Sequence, residues 1–240
     1  MKSKNLDIDI ELIKKAQEIA KYCLEEIPSY LKSGMTRQEI HMICEELMLS
    51  RGSTGWWTHN DPALILYGPY LTYSAHEDPS ELFNGLLVAD NDVVTIDVAP
   101  MKGSGWGDMT RTYVIENGKY LPWEQSSNSE LIDGMLLENE LHEMLIKNVN
   151  KDTTFADIHN MTTSVLEKKG YYNCDYHGNF GHSIEIHPDN RVTIIPEIKI
   201  KISEYGKPIT YEPHICKKGG SIGVKHENMY LMKDGHLEII

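Results

Sequence analysis

Residues 95–115 read TIDVAPMKGSGWGDMTRTYVI, and the fold turns on how this stretch is read. Val93, Val94, Thr95 and Ile96 are β-branched and lead into Asp97, so a strand is expected there. Gly103, Gly105 and Gly107 then mark a turn, and a second strand is expected from about Asp108 through Thr110, Thr112, Val114 and Ile115. An acid stands at each inner end of this hairpin, Asp97 and Asp108, eleven residues apart. Opposed residues on paired strands lie only ~5 Å apart at Cβ. Two carboxylates held that close repel unless a proton or a cation lies between them. Aspartate is also common at strand ends and turns, where it needs no metal. A phosphate-binding loop fails on context, because such a loop opens a helix and TRTYVI is strand-like.

Working outward, Ile10, Ile13, Ala16, Ile19, Ala20, Cys23 and Leu24 fall at helical spacing, which predicts a helix from about Asp7 to Ser33, stopped by Gly34. Thr36 with Glu39 has the form of a capping box and opens a second helix that ends at Gly52. A strand is expected at Ala63–Tyr67, followed by a loop carrying His76. After the central hairpin, Asn117-Gly118 signals a tight turn. Helices are expected from about Glu124 to Val149 and from about Thr154 to Lys169, with strands to the C-terminus.

The chain also repeats itself. TRQEIHMICEELMLSRG, residues 36–52, aligns without gaps to TFADIHNMTTSVLEKKG, residues 154–170, at an offset of 118. Each copy leads through a His-bearing stretch to a strand ending in an acid, Asp97 in VVTID and Glu212 in GKPITYE. A glycine turn and a second acid follow each, Asp108 and Glu227, and the acid offsets of 115 and 119 bracket the helix offset. One domain over residues 1–240 is expected, built from pseudo-repeats at about 7–120 and 121–240. Each half would give a two-acid hairpin to a shared centre.

The 36 acids against 23 bases, a formal charge of −13, argue against nucleic acid or an anionic membrane as partner. No apolar run is long enough to span a bilayer, and the N-terminus lacks the apolar core of a signal peptide. Cys23, Cys44, Cys174 and Cys216 show no CxxC spacing, so free thiols and a cytoplasmic setting are expected.

Four carboxylates and one imidazole are the inventory of a two-metal site that activates water. Oxygen-rich ligation suits Mn²⁺, Fe²⁺, Co²⁺ or Zn²⁺, and spacing does not choose among them. His182, in NFGHSIEIHP, has the best setting for the imidazole, with a glycine before it and a strand-like SIEI after it. His187 falls on the opposite face of a regular strand, and His76 reads equally as a loop histidine or a functional one. Trp56 and Trp57 read as core.

These residues resemble a family. IDVAPMKGSGWGDMTRTYVI, FGHSIEIHP, GKPITYEPHI and GVKHENMYLMKDGHLEII are similar to the metallopeptidases of the pita-bread fold, which include methionine aminopeptidase, Xaa-Pro aminopeptidase, prolidase and creatinase. The resemblance covers nearly the whole chain. It implies an α+β fold of two pseudo-symmetric halves, with a curved antiparallel sheet flanked by helices. It implies two divalent metal ions (Mn, Co, Fe or Zn), with Asp97 on one, His182 and Glu212 on the other, and Asp108 and Glu227 bridging. A water between the metals would be the nucleophile, with Glu212 assisting proton transfer and His76 and His187 holding the substrate carbonyl. The substrate would be a short peptide or small amide, and a homodimer is a family-level expectation. GVKHENMYLMKDG is closest to the Xaa-Pro branch, yet only 96 residues precede Asp97, which leaves no room for the N-terminal domain of that branch. Departures cluster near the substrate pocket. The interval from His182 to His187 is about two residues short, His214 stands where glycine is usual, and Lys225 stands where the Xaa-Pro branch has arginine. A creatinase-like C–N hydrolase and a non-catalytic binding module are the competing readings. Retention of all five ligands disfavours the latter.

Overall fold

The computed structural model describes residues 9–57, 61–73, 85–175 and 177–240. His76 and its loop lie outside the described residues.

Helix α1 (Ile10–Glu26) begins where the Asp9 carboxylate accepts from the Glu11 and Leu12 amides. It buries Ile13, Ala16, Ile19, Ala20, Cys23 and Leu24, each large aliphatic contributing about 1.5–3 kcal/mol when removed from water. It ends earlier than its periodicity suggests, because Pro28 cannot donate and turns the chain into a 3₁₀ turn at Ile27–Ser29. Helix α2 (Arg37–Ser50) opens on the Thr36–Glu39 capping box.

Strands β1 (Ala63–Tyr67) and β2 (Asp92–Val98) are followed by a nested two-stranded hairpin, β3 (Met101–Lys102) and β4 (Gly105–Trp106). Strands β5 (Met109–Glu116) and β6 (Lys119–Leu121) complete an antiparallel sheet of order β1-β2-β5-β6. Asn117 (φ 51°) and Gly118 (φ 79°) both take the left-handed conformation that a two-residue hairpin turn requires.

The central glycines have a reason beyond the turn. A Cβ on Gly105 would lie 2.5 Å from Ile13 N, and one on Gly107 would lie 2.7 Å from the Ala16 carbonyl. The backbone of α1 rests directly on this hairpin, so the two positions have no room for a side chain.

In the second half, α3 (Ser129–Asn148) starts later than expected. Ser126 and Ser127 are held by the Glu116 carboxylate instead, and Asn128 supplies the cap to Leu131. Helix α4 (Phe155–Lys169) repeats the capping box with Thr154 and Asp157 and closes on left-handed Gly170. Strands β7 (Tyr171–Asn173), β8 (Ile209–Tyr211), β9 (His214–Lys217), β10 (Gly223–Lys225), β11 (Asn228–Lys233) and β12 (His236–Ile239) follow, with a one-turn helix α5 (Ile202–Tyr205) before β8. They form two three-stranded sheets, β10-β9-β7 and β12-β11-β8. The expected strand after His182 is absent. His182 and Ser183 make only isolated bridges to Thr193 and Ile209, and the Trp106 indole N–H takes the Glu185 carbonyl.

One core joins α1 and α2 to the first sheet through Cys23, Ile40, Cys44, Ile65 and Ile96. A second joins α3 and α4 to the other sheets through Leu141, Phe155, Tyr211, Ile215 and Tyr230. Polar bonds stitch the halves together along β5. The Glu227 amide donates to Thr110 O (3.1 Å), and the Arg111 guanidinium donates to Glu227 O (2.6 Å) and to Asn228 Oδ1 (2.8 Å). No helix among the described residues is long and apolar enough to cross a membrane.

Candidate metal centre

The two acid-bearing hairpins meet where β5 faces β10 and β11. On β2, Asp97 pairs with Thr110 rather than with Asp108. Asp108 stands two residues before Thr110, so the two aspartates are diagonal neighbours on one face instead of directly opposed. In the second hairpin, Tyr211 pairs with Asn228, and Glu212 and Glu227 occupy the next position across.

One oxygen from each of Asp97, Asp108 and Glu227 falls within 4.8 Å of the others. His182 Nε2 lies 3.5 Å from Asp108 Oδ2 and 3.3 Å from Glu212 Oε1. The structure therefore gathers Asp97, Asp108, His182, Glu212 and Glu227 into one cluster. His187 is exposed at the start of a 3₁₀ turn over Pro188–Asn190.

Each ligand-type side chain is set by a neighbour. The Thr110 hydroxyl donates to Glu227 Oε2 (2.6 Å), and the Thr210 hydroxyl donates to Glu212 Oε1 (3.0 Å). Gln17, 3 % exposed on α1, bonds both ways with the backbone of Asp108: its Nε2 donates to Asp108 O (3.0 Å) and its Oε1 accepts from Asp108 N (2.9 Å). The His182 ring lies 5.9 Å from both the Trp57 and Trp106 rings. Its Nδ1 is 3.1 Å from Ser183 O. An Nδ1–H donated there leaves Nε2 bare in the neutral ring.

Lys225 completes the cluster, its Nζ 2.7 Å from both Asp97 Oδ2 and Glu212 Oε2. Burial raises the Glu212 carboxyl, but Lys225 and His182 outweigh it and hold the group at about 2. Burial, and then Glu227, push the Asp108 carboxyl well above the usual carboxylate range. Burial, and then Glu212, do the same to Glu227. Burial lowers His182, so the ring is neutral at pH 7.

This donor set fits divalent cations. Glu227 Oε1 is buried with no hydrogen-bond partner. The bare His182 Nε2 faces carboxylate oxygens of Asp108 and Glu212 at 3.5 and 3.3 Å, an arrangement that a cation between them would satisfy. Oxygen-rich ligation with one imidazole suits first-row divalent metals. Beside the cluster a cavity of about 170 Å³ is lined by Tyr73, Asp97, Asp175, Glu212, His214 and Lys225, among others. His214 is packed rather than free: its Nε2 donates to Leu71 O (2.7 Å), and burial, then Lys225, lower it to about 4.

Thr110, Thr210, Gln17, Trp57 and Trp106 were not singled out from the sequence as parts of the site. The two threonines carry a readable signal, because DMT (108–110) and TYE (210–212) place a hydroxyl two residues from an acid, on the same strand face. Gln17 and Trp57 come from distant segments and have no local signature, whereas Trp106 lies two residues before Asp108 in the central hairpin.

Comparison with known proteins agrees with this architecture. The chain is 26% identical over 232 residues to an uncharacterized peptidase of Staphylococcus aureus, a match covering 97% of this chain and 60% of that protein. It thus spans less than two thirds of the curated relatives it matches. Among solved structures it is similar to an X-Pro aminopeptidase from Thermotoga maritima (TM-score 0.79, 20% identity, 96% of this chain and 59% of that one). It is similar also to a prolidase from Pyrococcus furiosus (0.77, 21%, 96% and 62%) and to a methionine aminopeptidase from Thermotoga maritima (0.74, 16%, 96% and 95%). These likenesses establish the pita-bread α+β fold. The sequence pattern of metallopeptidase family M24 matches residues 11–234, and the chain belongs to that family.

Proposed function

We propose that the chain is a dinuclear metal-dependent hydrolase of short peptides, an aminopeptidase or an Xaa-Pro-type peptidase. The observation that carries this reading is the convergence of four carboxylates and a bare imidazole nitrogen in one cluster, in which Glu227 Oε1 is left without a partner. Asp97 would hold one cation and His182 with Glu212 the other, with Asp108 and Glu227 shared. Bound cations of this kind supply Lewis acidity towards a carbonyl and a nucleophilic water at neutral pH.

The chain's own residues do the rest. Glu212 is proposed to assist proton transfer, and Thr210 and Lys225 fix the direction of its carboxylate. The backbone contact to Ser183 keeps His182 in the tautomer that offers Nε2. His76 and His187 are proposed to meet the substrate carbonyl. The names of the similar structures, X-Pro aminopeptidase, prolidase and methionine aminopeptidase, support a peptide substrate. A second reading, a C–N bond outside peptides, rests on His214 and Lys225 in the cavity wall, where the resemblance implies glycine and, in the Xaa-Pro branch, arginine.

The test is a hydrolysis screen with Mn²⁺ or Co²⁺ over Met-initiated peptides, Xaa-Pro peptides and small amidino or N-methyl compounds. The expected result is metal-dependent cleavage of one peptide class that Asp108→Asn abolishes. A purified protein that takes up no Mn²⁺, Co²⁺ or Zn²⁺ would refute the reading.

A further inference from the structure

Lys225 stands between the two hairpins at the end of β10. Its side chain is only 12 % exposed, and its Nζ lies 2.7 Å from Asp97, 2.7 Å from Glu212 and 3.7 Å from Glu227 Oε2. Its backbone is fixed as well. The Lys225 amide donates to Thr112 Oγ1 (3.0 Å), and the same hydroxyl lies 3.0 Å from the Lys225 carbonyl. An ammonium is a compact charge with three donors, which suits it to bridging carboxylates that come from separate strands.

This cation covers one flank of the cluster. On the other flank, Glu227 Oε1 has no partner and Asp108 Oδ2 faces the His182 ring. The ammonium thus meets three of the four carboxylates, and divalent cations held by the cluster would balance all four in their ionised form. Those cations must share Asp97 and Glu212 with the lysine.

We propose that Lys225 is a built-in counter-cation, a positioning residue that holds Asp97 and Glu212 together while the centre is empty and competes with incoming metal for both. The proposal rests on the reading of this cluster as a metal centre. A lysine that served only to orient the ligands would behave oppositely, since its loss would loosen them and weaken the metal.

The experiment uses the full chain, stripped of metal with a chelator, as wild type, Lys225→Met and Lys225→Arg. Thermal unfolding is measured without metal, and Mn²⁺ binding by titration calorimetry. Metal-free Lys225→Met should melt about 10 °C below wild type, because buried carboxylates lose their cation. It should bind Mn²⁺ more tightly, on the order of tenfold, because a like charge has left the site. Lys225→Arg, which keeps the charge, should return both readouts towards wild type. A Lys225→Met protein that folds only when Mn²⁺ is present also supports the proposal. If wild type binds Mn²⁺ and Lys225→Met binds it equally or more weakly, or does not fold even with saturating Mn²⁺, the counter-cation proposal alone is overturned. If neither protein takes up Mn²⁺, the metal-centre reading falls with it.

Discussion

Glu138 should make the protein less stable as the pH rises, and replacing it should remove that loss. The residue lies on α3, fully buried, and neither carboxylate oxygen has a hydrogen-bond partner. The helix cannot rotate to expose it. One turn earlier Gly134 sits against Val224, where a Cβ would come within 3.0 Å, and one turn later His142 donates to His226 O (2.9 Å). Burial pushes the Glu138 carboxyl well above its ordinary 4.5, and Lys225 pulls it back only in part. The folded chain therefore keeps a proton that the unfolded chain has lost. Stability is full below pH 4.5 and is lost as pH rises towards the raised folded value, at about 1.4 kcal/mol per pH unit. Glu138→Gln keeps the shape and removes the titration. Its stability advantage should open above pH 4.5 and widen by about 1.4 kcal/mol per unit within that window. Glu138→Leu also removes the unpaired polar group, which adds about 1–3 kcal/mol. Urea unfolding of metal-free wild type and variants at several pH values between about 5 and 8 reads this directly, with midpoints compared at constant slope. A Gln advantage that does not change with pH, or a Gln variant less stable than wild type at pH 8, would show that the acid is compensated and the reasoning wrong.

Three further outcomes follow from the packing. Gln17→Leu leaves the Asp108 N–H and C=O unpaired, and should cost about 2–4 kcal/mol in chemical unfolding and weaken metal uptake as well. Gly105→Ala forces a Cβ to within 2.5 Å of the α1 backbone, so calorimetry should show a loss of at least about 1–3 kcal/mol, and retention of the wild-type melting point would refute the close approach. Thr36→Ala and Thr154→Ala each remove one capping box, and each should lower stability by about 1 kcal/mol, additively, since the caps belong to different helices.

Much of this was legible because it is local. The β-branched run before Asp97, the Thr36 capping box and the Asn117-Gly118 turn depend on neighbours within a few residues, and each matched the element that forms. What misled was also local in origin. Periodicity carried α1 past Pro28 and carried α3 back into Ser126 and Ser127, where Glu116 takes the hydroxyls first. SIEI has a strand's composition but no partner strand of sufficient length, so it is held by single bridges. In the site, the four acids and His182 could be picked out by residue type and repetition. The sequence could not show that Asp97 pairs with Thr110, because register is set by the nested β3–β4 hairpin and by α1 pressing on it.

The bonds that build the centre join remote parts of the chain. Gln17 and Asp108 are 91 positions apart, Thr110 and Glu227 are 117, and Asp97 and Lys225 are 128. Closing contacts of such range is slow, and comes after helices and hairpins have formed. During synthesis the first half can therefore dock α1 on its sheet and set Asp97 and Asp108, while the second pair of acids does not yet exist. A nascent chain that stops short of Glu212 carries two crowded aspartates and no Lys225 to balance them. The cluster's capacity to capture a cation should thus appear late and all at once, as the final step of folding.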